Sequence, residues 1–215
     1  MESNGMEQTK AGTSNPLRVL VACEFSGIVR DAFAARGHDA WSCDLLPTER
    51  PGNHIQDDVL KHLGDGWDLM IAHPPCTDLA VCGAPSFEEK RKDGRQQKAI
   101  SFFLSLIDSP VERIAVENPV CVMSSVYQKP DQIVEPWYFG DRDTKKICLW
   151  LKNLPTLWWG ELFGLNPEPD YKWFKSAKTK SGMSRYSNVH ERSKSGGERS
   201  RFFQGIANAM AAQWG

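Results

Sequence analysis

Short apolar runs alternate along the chain with amphipathic stretches, and that alternation predicts a strand–helix order. Leu17 to Ala22 reads as a buried strand. The following GIVRDAFAARG puts Ile28, Val29, Ala32, Phe33 and Ala35 on one helical face, with Gly37 as a stop. A second strand, DAWSCDL, ends near Asp44, and the extended NHIQDDV leads into a short helix. Trp67 to Ala72, WDLMIA, is apolar, brief and followed at once by prolines, the signature of a buried strand. Phe87 to Ile107 reads as one crossover helix, ERIAVENP as a strand closing on Pro119, and KKICLWL as a further strand. RSRFFQGIANAMAAQW makes a last amphipathic helix with Phe202, Ile206, Ala209 and Met210 on one side. This order predicts an α/β fold, a doubly wound and mostly parallel sheet covered on both faces. No internal repeat is visible. The expected organisation is a loose polar tail over 1–16, a core over 17–151, a basic and aromatic insert over 152–199, and a C-terminal helix over 200–215 packed on the core.

Composition narrows the class. At 215 residues, 40% hydrophobic and 25% charged, with a mean hydropathy of -0.46, the chain can bury one full core. No apolar run approaches the ~20 residues of a membrane span, and the opening lacks the basic and apolar regions of a signal peptide, so a cytoplasmic location is expected. The six cysteines, Cys23, Cys43, Cys76, Cys82, Cys121 and Cys148, form no CxxC pair and no Cys/His ligand spacing. Reduced thiols and no metal site are expected. Net charge is -1, yet from Lys172 to Arg201 nine basic residues face only Glu191 and Glu198, with Tyr171, Trp173, Phe174 and Tyr186 interleaved. Such a stretch suits phosphate contact and base stacking; a solvated loop is the other reading.

Polar residues of distinctive type stand at the strand ends. CEFSG follows the first strand, where Gly27 would let the backbone approach a ligand at a helix N-terminus. Asp44 ends the second, where doubly wound nucleotide binders place an acid on ribose hydroxyls. Asp57 and Asp58 follow in the next loop. HPPC ends the fourth strand and ENP the fifth, so adjacent parallel strands would bring Cys76 and Glu117 to neighbouring lips of one crevice. The alternative for Cys76 is a small buried hydrophobe, a common fate of free cysteine.

Read together, these motifs resemble the cytosine carbon-5 DNA methyltransferase family, in particular its short phage-type members with a reduced target-recognition region. EFSG is similar to that family's cofactor turn, PPC to its nucleophile motif, ENP to its Glu-Asn-Val motif, FGDRDTKKICLWL to its Phe-Gly and Gln/Arg segment, and GIANAM to its closing Gly-Asn-Ala-Val-Pro motif. Val29 replaces a second glycine and Thr77 the usual Gln. The resemblance implies a Rossmann-like S-adenosylmethionine-dependent fold. Cys76 would be the nucleophile, Glu117 the acid and Asn118 its orienting partner, with His73 or Arg30 favouring the thiolate. It implies S-adenosylmethionine held by Phe25, Ser26, Gly27, Asp44, Asp58, Pro74 and Asn208. DNA would be held by Lys145, Lys146, Lys172, Lys175, Lys178, Lys180 and Arg185, with the chain a monomer by default. The other five cysteines are expected to lie away from the crevice lip or on buried faces. Two further readings stay open: carbon-5 modification of a pyrimidine in a free nucleotide or single strand, and an inactive nucleic-acid-binding relative.

Overall fold

The computed structural model describes residues 15–141, 143–160, 176–178, 184–186 and 201–215. Nine strands and five helices follow in the order β1 Arg18–Ala22, α1 Ile28–Ala34, β2 Asp39–Asp44, β3 His54–Gln56, β4 Leu69–Ala72, α2 Phe87–Lys92, α3 Arg95–Ile107, β5 Arg113–Pro119, α4 Met123–Val126, β6 Gln132–Val134, β7 Ile147–Lys152, β8 Ser176–Lys178, β9 Ser184–Tyr186 and α5 Gln204–Trp214 among the described residues. Seven strands form one sheet in the order β3-β2-β1-β4-β5-β7-β6, parallel from β3 to β5, with β7 antiparallel to both β5 and β6. This is the doubly wound, mostly parallel α/β arrangement that the alternation of elements predicts.

β4 throughout, and β1 and β5 over their middle residues, are apolar at successive positions because both faces of the sheet are covered. Val19, Val21, Leu69, Ile71 and Ala115 pack with Val29 and Phe33 of α1 and with Ile206, Met210 and Trp214 of α5. The alternate residues, Leu20, Met70, Ala72, Ile114 and Val116, pack with Ile100, Phe103, Leu106 and Ile107 of α3. Trp150, wholly buried, meets Phe103 edge to face at 5.1 Å and donates its indole N–H to the Gln128 carbonyl at 2.9 Å. The edge strand β6 is covered by the chain that follows β7. Gln132 there exchanges two 2.7 Å hydrogen bonds with the Leu157 backbone.

Several expectations need correction. The crossover helix is two helices, because the Asp93 carboxylate accepts the Arg95 N–H at 3.0 Å and restarts the chain after Gly94. Ala35 is exposed, since α1 ends at Ala34. β6, α4 and the hairpin of β8 with β9 were not expected; elements of three or four residues are too short to show a period. That hairpin falls inside the basic stretch.

Helix α5 enters the core through a tight contact. The Gly205 N–H donates to Asp141 Oδ2 at 2.8 Å, and a Cβ at 205 would collide with the Phe139 carbonyl. Gly205→Ala is therefore expected to destabilise the fold by about 1–3 kcal/mol, the usual cost of overpacking. A lowered urea midpoint with an unchanged m-value would report it.

Candidate active site

The order of strand connection reverses between the parallel neighbours β1 and β4, and a crevice of about 560 Å3 opens beyond their carboxyl ends. In open α/β sheets this switch point is where crossover loops part and leave room for a ligand. One wall is the turn after β1 together with the end of β2; the other comes from the ends of β4 and β5.

The first wall is built around two buried charges. Glu24 folds back on its own turn. Its Oε1 accepts the Val29 N–H at 2.8 Å and the Ser26 hydroxyl at 3.1 Å, and its Oε2 accepts the Arg30 N–H at 3.2 Å. The Ser26 hydroxyl accepts the Ile28 N–H at 3.4 Å. The amides at the start of α1 are thus used internally, which corrects the expectation of a ligand at that helix end. Gly27 does not line the crevice. Its φ is +73°, and a Cβ there would lie 2.5 Å from Arg30 Nη2, so the glycine makes room for a side chain and not for a ligand. Phe25 and Ser26 do line the crevice.

Arg30, 1% exposed, does not approach Cys76 as expected. It donates to the carbonyls of Arg50 and Pro51, the hydroxyls of Ser42 and Thr48, and the Asp31 carboxylate at 2.8–3.2 Å. These bonds hold the loop after β2, whose Glu49 N–H in turn bonds the Phe25 carbonyl at 2.8 Å. Asp44 stands on the crevice, with Oδ1 accepting the Leu46 N–H. Asp58 lies outside the lining, where it caps the 3-10 turn after β3 by accepting the Leu60 N–H at 3.0 Å. Asp57 is held by Lys61 and His62. Cys23, expected away from the lip or on a buried face, lines the crevice, with φ +59° and a thiol pushed far up by burial and then by Asp44.

The second wall carries Cys76 and Glu117, brought together as expected. The Cys76 carbonyl opens the next turn by accepting the Leu79 and Ala80 N–H groups at 3.0 and 2.8 Å. Buried Lys90 pins that turn by donating to the Thr77 carbonyl and pairing with Asp78 at 3.3 Å. Burial pushes the Cys76 thiol up, Lys145 across the crevice pulls it back down, and Glu117 raises it further. Lys145, which lines the same crevice, is the cation whose charge acts on the thiol, where His73 or Arg30 was expected; its loop is set by its own N–H bonding Asp143 at 2.7 Å. Lys146 is exposed and does not line the crevice. Asn118 does not orient Glu117. Its amide donates to the Pro74 carbonyl at 2.8 Å and ties β5 to the double-proline turn. The contact of Glu117 is His73, whose Nδ1 lies 3.2 Å from Oε2.

Asn208 is turned away from the crevice. It is exposed on α5 and bonded to Gln204 at 2.9 Å, because its neighbours Ala207 and Ala209 face the core. Arg201, Phe202 and Phe203, just before α5, reach the crevice instead. Arg201 forms two bonds of 2.8 and 2.9 Å to Glu49, joining this segment to the loop after β2. Lys172, Lys175 and Lys180 lie outside the described residues, while Lys178 and Arg185 fall in β8 and β9. Among the described residues no group of three or more His, Cys, Asp or Glu side chains converges to hold a metal ion, and no helix is long and apolar enough to cross a membrane.

Two outcomes follow from this geometry. Cys82 is exposed and Cys76 half-buried, so maleimide at neutral pH is expected to label Cys82 first; peptide mass spectrometry gives the order. Arg201 holds the Glu49 carboxyl below its ordinary range. A depressed folded-state carboxylate contributes stability above its unfolded pKa and loses it as pH falls through the folded one. Glu49→Gln should thus cost up to about 1 kcal/mol at neutral pH, and the difference should vanish below the ordinary carboxylate range in pH-resolved melts.

No protein-family profile matches the sequence, and no curated protein is significantly similar to it. A solved structure from E. coli, described as a candidate DNA modification methyltransferase encoded within a prophage, aligns at 18% identity with a TM-score of 0.40. The alignment covers 63% of this chain and 46% of that one, so less than half of that protein's length is matched. A superposition this loose adds no weight to the function, which rests on the crevice itself.

Proposed function

We propose that the protein transfers a methyl group from S-adenosylmethionine to carbon 5 of cytosine in DNA. The observation that carries this reading is the convergence of the Cys76 thiol, the Glu117 carboxyl and the Asp44 carboxylate on one crevice at the sheet's switch point. A thiol and a carboxyl on adjacent strand ends suit nucleophilic addition to a heteroaromatic ring with protonation of the same ring. An acid at the end of β2 suits a ribose.

The cofactor fits the first wall: Asp44 for the ribose hydroxyls, Phe25 and Leu46 for apolar contact, and the Pro74 backbone opposite. When bound, S-adenosylmethionine supplies an electrophilic methyl group. The chain's own residues prepare the base. Cytosine leaves its stack to reach them, because carbon 6 is shielded inside a duplex. Lys145 favours the Cys76 thiolate, more strongly once the base displaces water and lowers the local dielectric. The thiolate adds to carbon 6. Glu117 donates a hydrogen bond to nitrogen 3 and accepts one from the exocyclic amine, drawing negative charge off the ring as it develops. After methylation, loss of the carbon-5 proton and departure of the thiolate restore the aromatic ring. The Lys172 to Arg201 stretch and its hairpin supply positive charge and aromatic faces for the nucleic acid.

The deciding experiment is incubation with tritiated S-adenosylmethionine and defined DNA, followed by nucleoside digestion and chromatography. Label in 5-methylcytosine supports the reading. Label in free nucleotide alone, or none, removes it. Cys76→Ser should abolish turnover while leaving cofactor affinity unchanged, and DNA carrying 5-fluorocytosine should give a wild-type adduct, seen as a shift on a denaturing gel, that this variant lacks. Asp44→Ala should weaken S-adenosylmethionine binding by about 1–3 kcal/mol in calorimetry, the cost of losing a charged hydrogen-bond acceptor.

A further inference from the structure

Along β4 and β5, Ile71 and Ala115 face α1 and α5, whereas Ala72 and Val116 face α3. Ala72 stands opposite Val116, so the next residues, His73 and Glu117, both turn to the α5 side. Their side chains are 12% and 11% exposed. His73 is fixed on several sides. Its N–H bonds the Ala22 carbonyl at 2.9 Å, its ring packs on Phe202 at 4.6 Å, and Nε2 is buried with no partner among the described residues. Among the described residues the one polar contact of the ring is Nδ1 with Glu117 Oε2 at 3.2 Å.

We propose that His73 is a positioning residue that holds the proton Glu117 needs, so that an incoming cytosine meets a carboxyl able to donate. The inference rests on the methyl-transfer reading. With one proton between them the pair is either imidazolium and carboxylate or imidazole and carboxylic acid, two forms that differ only in where the proton sits. As the Cys76 sulfur bonds carbon 6, the double bond between carbons 5 and 6 moves between carbons 4 and 5, and the π pair between carbon 4 and nitrogen 3 moves onto nitrogen 3. Nitrogen 3 takes the one shared proton, passed on from His73 Nδ1 through Glu117, which ends as a carboxylate. The imidazole is left neutral with its remaining proton on Nε2. When the thiolate leaves after methylation, nitrogen 3 returns the proton to the pair. No redox change occurs and no further reactant is consumed.

Cys23 and Glu24 after β1, Asp44 at the end of β2, Cys76 after β4, Lys145 before β7 and Arg201 before α5 face the same crevice. They are unchanged in a His73 variant, so a comparison with wild type isolates the pair. Tritium transfer to DNA is measured for wild type, His73→Asn and His73→Gln, with S-adenosylmethionine binding as the check on folding. Asparagine places an amide N–H near the position of Nδ1 but has no proton to hand over. In His73→Asn, kcat should fall about 100-fold or more, the usual share of general acid catalysis, with KM for DNA within twofold of wild type. The alkaline limb of its rate profile should move to lower pH. A wild-type rate and profile in His73→Asn would overturn the proton role and leave methyl transfer standing. No label from wild type would remove methyl transfer and, with it, this role. If both variants lose cofactor binding, ring 15N spectra of wild type and Glu117→Ala decide. A changed His73 tautomer or charge state supports the shared proton, and an unchanged spectrum overturns it.

Discussion

The register of β4 against β5 is the constraint on which the candidate chemistry depends. Parallel pairing of Ala72 with Val116 fixes, one residue further, which groups can meet beyond the sheet. His73 then lies beside Glu117, and the Asn118 amide reaches the Pro74 carbonyl. That second contact stops the double-proline turn from swinging and sets where the following Cys76 begins its own turn. A slip of one residue would send every one of these side chains to the opposite face. The apolar residues on both faces forbid it, since it would exchange the partners of two filled cores.

The facing wall is held by different means. Among the described residues no strand ladder reaches the loop after β2; a buried guanidinium gathers its carbonyls, and the glycines at 27 and 52 leave space for it. Removing one partner from such a buried charge is costly because the remainder has no water to turn to. The two walls therefore differ in how they can move. One is part of the sheet, while the other hangs on Arg30 and on the exposed Glu49–Arg201 pair.

Much of this was legible from the sequence, for identifiable reasons. β1, β4, β5 and β7 announce themselves as apolar runs because both faces are buried, and the meeting of Cys76 with Glu117 follows from the adjacency of β4 and β5 alone. Contacts set by side-chain reach were not legible. An arginine in a helix reads as solvent-facing, so Arg30 hid its burial. Glu24 caps its own turn, and an acid ahead of a helix start is a signal for capping that reading EFSG as a ligand turn obscures. In the sequence His73 reads only as a neighbour of Cys76, because its partner lies 44 residues away. Asn208 belongs to the motif that resembles a closing segment, but the helix phase, with Ala207 and Ala209 inward, points it outward.

The self-capped turn after β1 also bears on which small molecules the crevice discriminates against. Dinucleotides and nucleoside triphosphates are gripped in many doubly wound proteins by free amides at the first helix end. Here those amides are spent on the Glu24 carboxylate and the Ser26 hydroxyl, and the carboxylate adds its own negative charge. A pyrophosphate would meet repulsion and no donors at that end. A nucleoside bearing a positive centre would meet neither obstacle, so in the proposed reaction the turn would favour onium-type ligands over phosphorylated ones before any shape is compared.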